Sequence, residues 1–322
     1  MFFAISGFVL TQAVQKSSPG PFLAARALRL YPGFWLATVL YAVVIACVGW
    51  PDLTPLAMRL ANIGWTLRPG EYGTRLFILG VEWSLIYEAV LYVWLAAMSR
   101  LGTKRWLPFA AIVWLVGIGV KVALWPGYAM NSPASPLPSW ETVLISAVNT
   151  PFFFGVLVFS LRERGRRLRW PVFAGLVAYV AIVPGRFQEL ESIWIAHSFA
   201  AAGFVWFIAQ IRQLNPENRL VVAGEYSYGL YLVHTPVIMG VFAILMHQGW
   251  LVGSGAGVVV AGVAAIAFGL VFGKLESALH LRLRPLLKVR LADSFIARAC
   301  VRIVRAAGSL LARPSGRLAG SR

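Results

Sequence analysis

Nine apolar runs recur along this 322-residue chain, at about 2–14, 31–49, 77–98, 106–125, 141–161, 170–184, 193–211, 225–247 and 252–273, and the basic residues between them concentrate in alternate connections. That alternation limits the possible folds more than any other feature. The stretches 15–30, 99–105, 162–169 and 212–224, together with the tail 274–322, hold 24 of the 29 Lys and Arg. The intervening connections hold only Arg59, Arg68, Arg75 and Arg186, and Lys121 alone falls within a run. Cytoplasmic loops of membrane proteins collect Lys and Arg because the membrane potential opposes moving them outward. The expected fold is therefore all-α: a polytopic integral membrane helical bundle of about nine spans with its C-terminus cytoplasmic. The net charge of +17 follows from topology and is not a nucleic-acid footprint.

Composition agrees. The chain is 59% hydrophobic and 13% charged, against roughly 25% charged in soluble domains, and its mean hydropathy is +0.73. Too few polar residues exist to give nine apolar runs a wettable surface, which excludes an ordinary soluble fold, and intrinsic disorder is excluded with it. Cys47 and Cys300 are too far apart in sequence to suggest a disulfide framework or metal ligands.

The pattern divides the chain into a transmembrane domain over 1–273 and a basic cytoplasmic tail over 274–322. In the tail Ile296, Ala299, Ile303, Ala307 and Leu310 repeat at helical spacing beside a stripe of Arg298, Arg302 and Arg305, which reads as an amphipathic interfacial helix. The connection 126–140, with Pro126, Pro133, Pro136 and Pro138, reads as an outer surface crossing. The basic stretch 162–169 reads as an anchor against anionic lipid headgroups, with substrate binding as its alternative. The first run, 13 residues, covers roughly 20 Å of a hydrocarbon core of ~30 Å, so a hairpin partner is expected to precede it.

Chemistry is expected where polar side chains enter apolar spans against their cost, about 2.5–3.5 kcal/mol for a central charge on insertion scales. Arg26 and Arg29, in the connection before the second run, lie three apart and share a helix face. Two guanidiniums there suit a phosphate-bearing ligand, while spacing alone allows simple anchoring. Pro32 fits the first turn of the helix that follows. Ser84, Glu88 and Tyr92 stand at i, i+4 and i+8 and make one polar stripe. Glu88 is deep enough that it should face the bundle interior, either in a chemical role or locking helices together. Ser227, Tyr231 and His234 make a second stripe, and Pro236 frees the carbonyl of Leu232 beside it. His234 suits acid or base work near neutral pH, and a histidine bridging two helices fits the same spacing. His197 carries a weaker form of that reading, and His247 and His280 read as interfacial. No histidines are three or four apart, and no Cys/His cluster, phosphate-binding glycine loop or serine elbow occurs, so no metal site is expected.

Four ordered blocks resemble the type-3 membrane acyltransferase family: Phe2-Phe3-Ala4-Ile5-Ser6-Gly7-Phe8-Val9-Leu10, then Arg26-x-x-Arg29-Leu30-Tyr31-Pro32-x-x-Trp35, then Trp83-Ser84-Leu85-x-x-Glu88-x-x-x-Tyr92, and Ser227-Tyr228-x-Leu230-Tyr231-Leu232-x-His234. The resemblance implies a multi-pass enzyme of the bacterial inner membrane with a core of about ten helices. Such an enzyme would move an acyl group, usually acetyl from acetyl-CoA, onto a hydroxyl of a cell-surface or secreted glycan or its lipid-linked form. It implies no bound cofactor, acyl-CoA being a co-substrate. Arg26, Arg29 and Tyr31 would bind the donor at the cytoplasmic mouth. Glu88 and His234 would be catalytic, and Trp83, Ser84, Tyr92, Ser227 and Tyr231 would line the acceptor path. The family also carries an Arg and, ten residues later, a His in a helix ahead of the Phe-Phe block, and that helix is absent from this sequence. Two other readings remain: a transporter or flippase-like permease, for which no internal repeat is found, and an inactive scaffold in glycan assembly.

Overall fold

The computed structural model describes residues 1–48, 79, 81–100, 106–124, 143–163, 190–210, 217–249 and 255–290, and all regular structure among them is helical. In chain order the helices are α1 (Phe2–Gln15), α2 (Pro19–Val48), α3 (Glu82–Ser99), α4 (Leu107–Leu124), α5 (Thr150–Glu163), α6 (Leu190–Ile208), α7 (Arg219–Glu225), α8 (Ser227–His247) and α9 (Gly255–Arg290), with one 3-10 turn at Ala147–Asn149. The run expected at 170–184, the connection 126–140, most of the basic stretch 162–169 and the tail helix over 296–310 lie outside the described residues.

Two groups of helices meet at α2. On one side α1 packs against α5 and touches α3 and α6. On the other α8 and α9 form a closely packed pair, and α2 contacts α3, α8 and α9. Small residues set the closest approaches. A Cβ at Gly7 would run into the carbonyl of Phe152, and a Cβ at Gly155 into that of Ala4, so α1 and α5 touch backbone to backbone. Gly229 of α8 meets Gly273 of α9 in the same manner, as expected where van der Waals contact drives helix association. Around the first seam Trp94, Trp114, Phe152 and Phe153 interlock edge to face, with Trp94 and Phe153 centroids 5.0 Å apart.

The exterior is apolar. Val39 and Val43 of α2, Phe109 and Val116 of α4, and Val259, Val263 and Val271 of α9 are all exposed, the arrangement of a bundle that meets lipid. Among the described residues α8 and the Gly255–Leu283 part of α9 are long and apolar enough to cross a membrane, while several other apolar helices are shorter.

Two expectations from sequence are corrected. Arg26 and Arg29 do not lie in a connection, because α2 begins at Pro19 and carries both on a continuous helix. Pro32 consequently stands in the interior of α2 and not in its first turn. A proline cannot donate to the carbonyl four residues back, here that of Leu28. The Nδ1 of His280 approaches this carbonyl at 3.4 Å, so the acceptor freed by Pro32 becomes part of the contact between α2 and α9. Past residue 273, α9 continues without a break to Arg290.

Candidate active site

The site is built where α1, α2, α3, α8 and α9 converge. Glu88, on the inward face of α3, is 5% exposed. Its Oε1 accepts a hydrogen bond from the Tyr92 hydroxyl one turn away, the contact promised by the i, i+4 spacing. Its Oε2 is buried and accepts no hydrogen bond of regular geometry among the described residues, although the guanidiniums of Arg26 and Arg29 and the Ser6 hydroxyl of α1 act on the carboxyl. Glu88 thus faces the interior, and the stripe on α3 is a real inward face.

Arg26 and Arg29 differ in their surroundings. The Arg26 guanidinium lies 5.8 Å from the centre of the Phe22 ring, and its Nε is buried without a hydrogen bond. Arg29 is fixed. Its Nη1 donates to both oxygens of Glu276, at 2.8 and 3.0 Å, and its guanidinium sits 5.0 Å from the centre of the Tyr228 ring. The Tyr228 hydroxyl in turn donates to the Leu30 carbonyl at 2.8 Å, tying α8 to α2. Two cations and two carboxylates therefore share one region, which is how charges persist in an apolar bundle.

Toward the other end of α3, the hydroxyls of Ser84 and Tyr231 are hydrogen-bonded, and Ser84 also donates to the carbonyl of Val81 at 2.8 Å. The Tyr231 ring stacks on Phe2, with centroids 5.5 Å apart and planes inclined by 8°. His234 is half-buried one turn further along α8. Its Nδ1 lies 2.7 Å from the Tyr231 carbonyl and its Nε2 3.2 Å from the Thr235 hydroxyl, so both ring nitrogens engage its own helix. The nitrogen chose the Tyr231 carbonyl and not that of Leu232, which Pro236 frees.

The structure thus brings Arg26, Arg29, Glu88, Tyr92, Ser84 and Tyr231 into one contiguous set. Others stand apart. Ser227 is exposed and donates to the carbonyl of Gly224 at 2.7 Å, within its own turn. Trp83 is half-buried with its ring against Tyr87, and the Tyr31 ring lies against Trp35. His197 and His247 are exposed.

Sequence reasoning missed Tyr228, Glu276 and Gly33. Gly269, Gly273, Glu276 and His280 continue an inward face at helical spacing past residue 273, a signal obscured by the basic residues that follow. A Cβ on Gly33 would stand 2.7 Å from the Glu276 Cγ, so only glycine leaves room for that carboxylate.

An all-helical bundle with an apolar exterior and charged groups gathered in its interior is the build of a membrane-embedded enzyme. The family model described as an acyltransferase domain matches residues 1–274, so the chain belongs to that family, the one its four sequence blocks resemble, and it is an acyltransferase. It is 23% identical over 279 residues to Nodulation protein 10 of Rhizobium leguminosarum bv. viciae, covering 78% of this chain and 73% of the relative. It is 33% identical over 143 residues to Protein 2 in picA locus of Rhizobium radiobacter, covering 36% of this chain and 74% of the relative. No solved structure matches the chain.

Proposed function

We propose that this acyltransferase moves an acyl group, in the simplest case acetyl, from acyl-CoA to a hydroxyl of a cell-surface or secreted glycan or its lipid-linked form. In this reading it is a multi-pass protein of the bacterial inner membrane with about nine spans and a cytoplasmic C-terminus, and residues 1–273, together with the continuation of α9 that carries Glu276, form the catalytic domain. The observation that carries the reading is the buried Glu88, with one oxygen held by Tyr92 and the other without a regular partner, in the field of Arg26 and Arg29. Guanidiniums suit a donor with several phosphate charges, which cannot enter hydrocarbon, and a carboxylate with an open oxygen suits a proton acceptor.

The chemistry follows from that arrangement. Arg26 and Arg29 hold the donor phosphates, with Tyr31 at the margin of the same helix. The acceptor hydroxyl approaches along Ser84 and Tyr231 and gives its proton to Glu88 Oε2 as its oxygen attacks the thioester carbonyl. The new C–O bond forms, the C–S bond breaks, and the departing thiolate takes that proton from Glu88 to leave as free coenzyme A, which returns Glu88 to its carboxylate. Glu88 is favoured over His234 as the base because both ring nitrogens of His234 are engaged on α8.

The test is to incubate membranes containing the full chain with acetyl-CoA labelled in the acetyl group and to follow label in the glycan fraction. Time-dependent label that requires the protein supports transfer. Movement of glycan across the membrane without label would replace this reading with transport, and glycan acylation unchanged on deletion would leave only a scaffold.

A further inference from the structure

The Arg29–Glu276 pair joins two helices that are 247 positions apart in sequence, and its two halves are unequally buried: the arginine side chain is 28% exposed and the glutamate 2%. The carboxylate is thus the hidden partner and the guanidinium the partly exposed one. Only Nη1 is used. Nη2 and Nε, which together form the side-on edge of a guanidinium, carry no hydrogen bond among the described residues. That edge can present two parallel N–H bonds to a phosphate while Nη1 stays on the carboxylate.

The packing of α2, α8 and α9 around Glu276 favours this position. Gly33 supplies the space, since a Cβ there would stand 2.7 Å from the Glu276 Cγ and 3.2 Å from Tyr228 Cε1. Tyr228 covers the guanidinium and is itself anchored on the Leu30 carbonyl. One turn further along α9, His280 meets the Leu28 carbonyl. An arginine loses rotamer freedom when a ligand fixes it, and a buried carboxylate that holds it beforehand lowers that cost. Arg26 has no such carboxylate partner among the described residues, which makes Arg29 the oriented member of the pair.

We propose that Glu276 is a positioning residue for donor binding: it holds Nη1 of Arg29 so that the Nε–Nη2 edge meets a phosphate of the acyl donor. This rests on the assignment of Arg29 to the donor site, and the experiment separates the two claims. The full-length protein in lipid nanodiscs is titrated with coenzyme A, and release of free thiol from acetyl-CoA is measured in acceptor-containing membranes, for wild type, Glu276→Gln, Arg29→Ala and the double variant. Glu276→Gln keeps the size of the side chain but offers one acceptor oxygen, so the coenzyme A Kd and the donor KM rise about tenfold, while kcat at saturating donor stays within about twofold. Arg29→Ala weakens binding at least as much, and adding Glu276→Gln to it changes nothing further, because no guanidinium remains to position.

Gly33→Ala keeps the charge and displaces the carboxylate. It raises the donor KM in the same direction and decides the matter if Glu276→Gln does not fold. An unchanged or tightened coenzyme A Kd in Glu276→Gln, losses that add in the double variant, or a fall in kcat with donor KM unaltered would overturn the positioning role. An unchanged coenzyme A Kd in Arg29→Ala would instead remove Arg29 from the donor site, an outcome read without reference to Glu276.

Discussion

Glu88→Gln isolates the proton-accepting role of the buried carboxylate from its part in packing. The amide has the same shape, and its oxygen can keep the hydrogen bond from Tyr92, so the local volume and that contact survive. What disappears is the basic oxygen at the Oε2 position and one negative charge beside Arg26 and Arg29. Loss of a general base typically costs 10²–10⁴-fold in rate, which is about 3–5.5 kcal/mol in the barrier. The stability change should be smaller, about 1–3 kcal/mol, because a charge-assisted interaction is weakened without opening a cavity. Acetyl transfer from labelled acetyl-CoA gives the rate, and fluorescence-detected size exclusion of the solubilised protein gives the folded fraction. A variant that stays monodisperse and loses at least a hundredfold in turnover at saturating donor fits the argument. Turnover within about threefold of wild type would refute it, since no other unpartnered carboxylate oxygen in the described site could replace Oε2.

Three further outcomes are expected. Gly7→Val should destabilise the bundle by about 1–3 kcal/mol or more, because the new side chain enters the Phe152 carbonyl and must part α1 from α5; a lowered melting temperature in detergent checks it. Tyr228→Phe should lower stability by about 1 kcal/mol by leaving the Leu30 carbonyl without its donor, while the ring over Arg29 remains, and thermal unfolding reports the difference. Ser227→Ala should change stability by no more than about 0.5 kcal/mol and leave the transfer rate at the wild-type level, since this hydroxyl is exposed and bonded within its own turn.

Periodicity made part of this site readable in advance. Ser84, Glu88 and Tyr92 share a face at any plausible rotation of α3, and Glu88 was too costly to leave in lipid, so both the stripe and its inward direction could be inferred. Arg26 and Arg29 were readable as a pair for the same reason, although α2 starts earlier than the apolar run suggested. On α8 the argument from spacing was weaker. Ser227, Tyr231 and His234 lie on one face, but Tyr228 lies only 100° from Ser227, and which of the two turns inward depends on where α9 packs. Contact between Gly229 and Gly273 settles that rotation, a fact of tertiary structure that no single helix reveals. Glu276 was hidden by a different cause. Basic residues beyond it suggested a tail, whereas helix α9 extends past the apolar run and keeps its inward face.

That uninterrupted helix makes the electrostatic centre a matter of register. Glu276 is carried on the same rigid rod as Gly269 and Gly273, which dock on Leu230 and Tyr226 of the neighbouring helix region. One alanine inserted between 273 and 276 would swing the carboxylate by about 100° and advance it about 1.5 Å, away from its arginine, without altering hydropathy or charge. A protein of identical polarity and near-identical composition would then lack its salt link, and no compositional profile would register the loss.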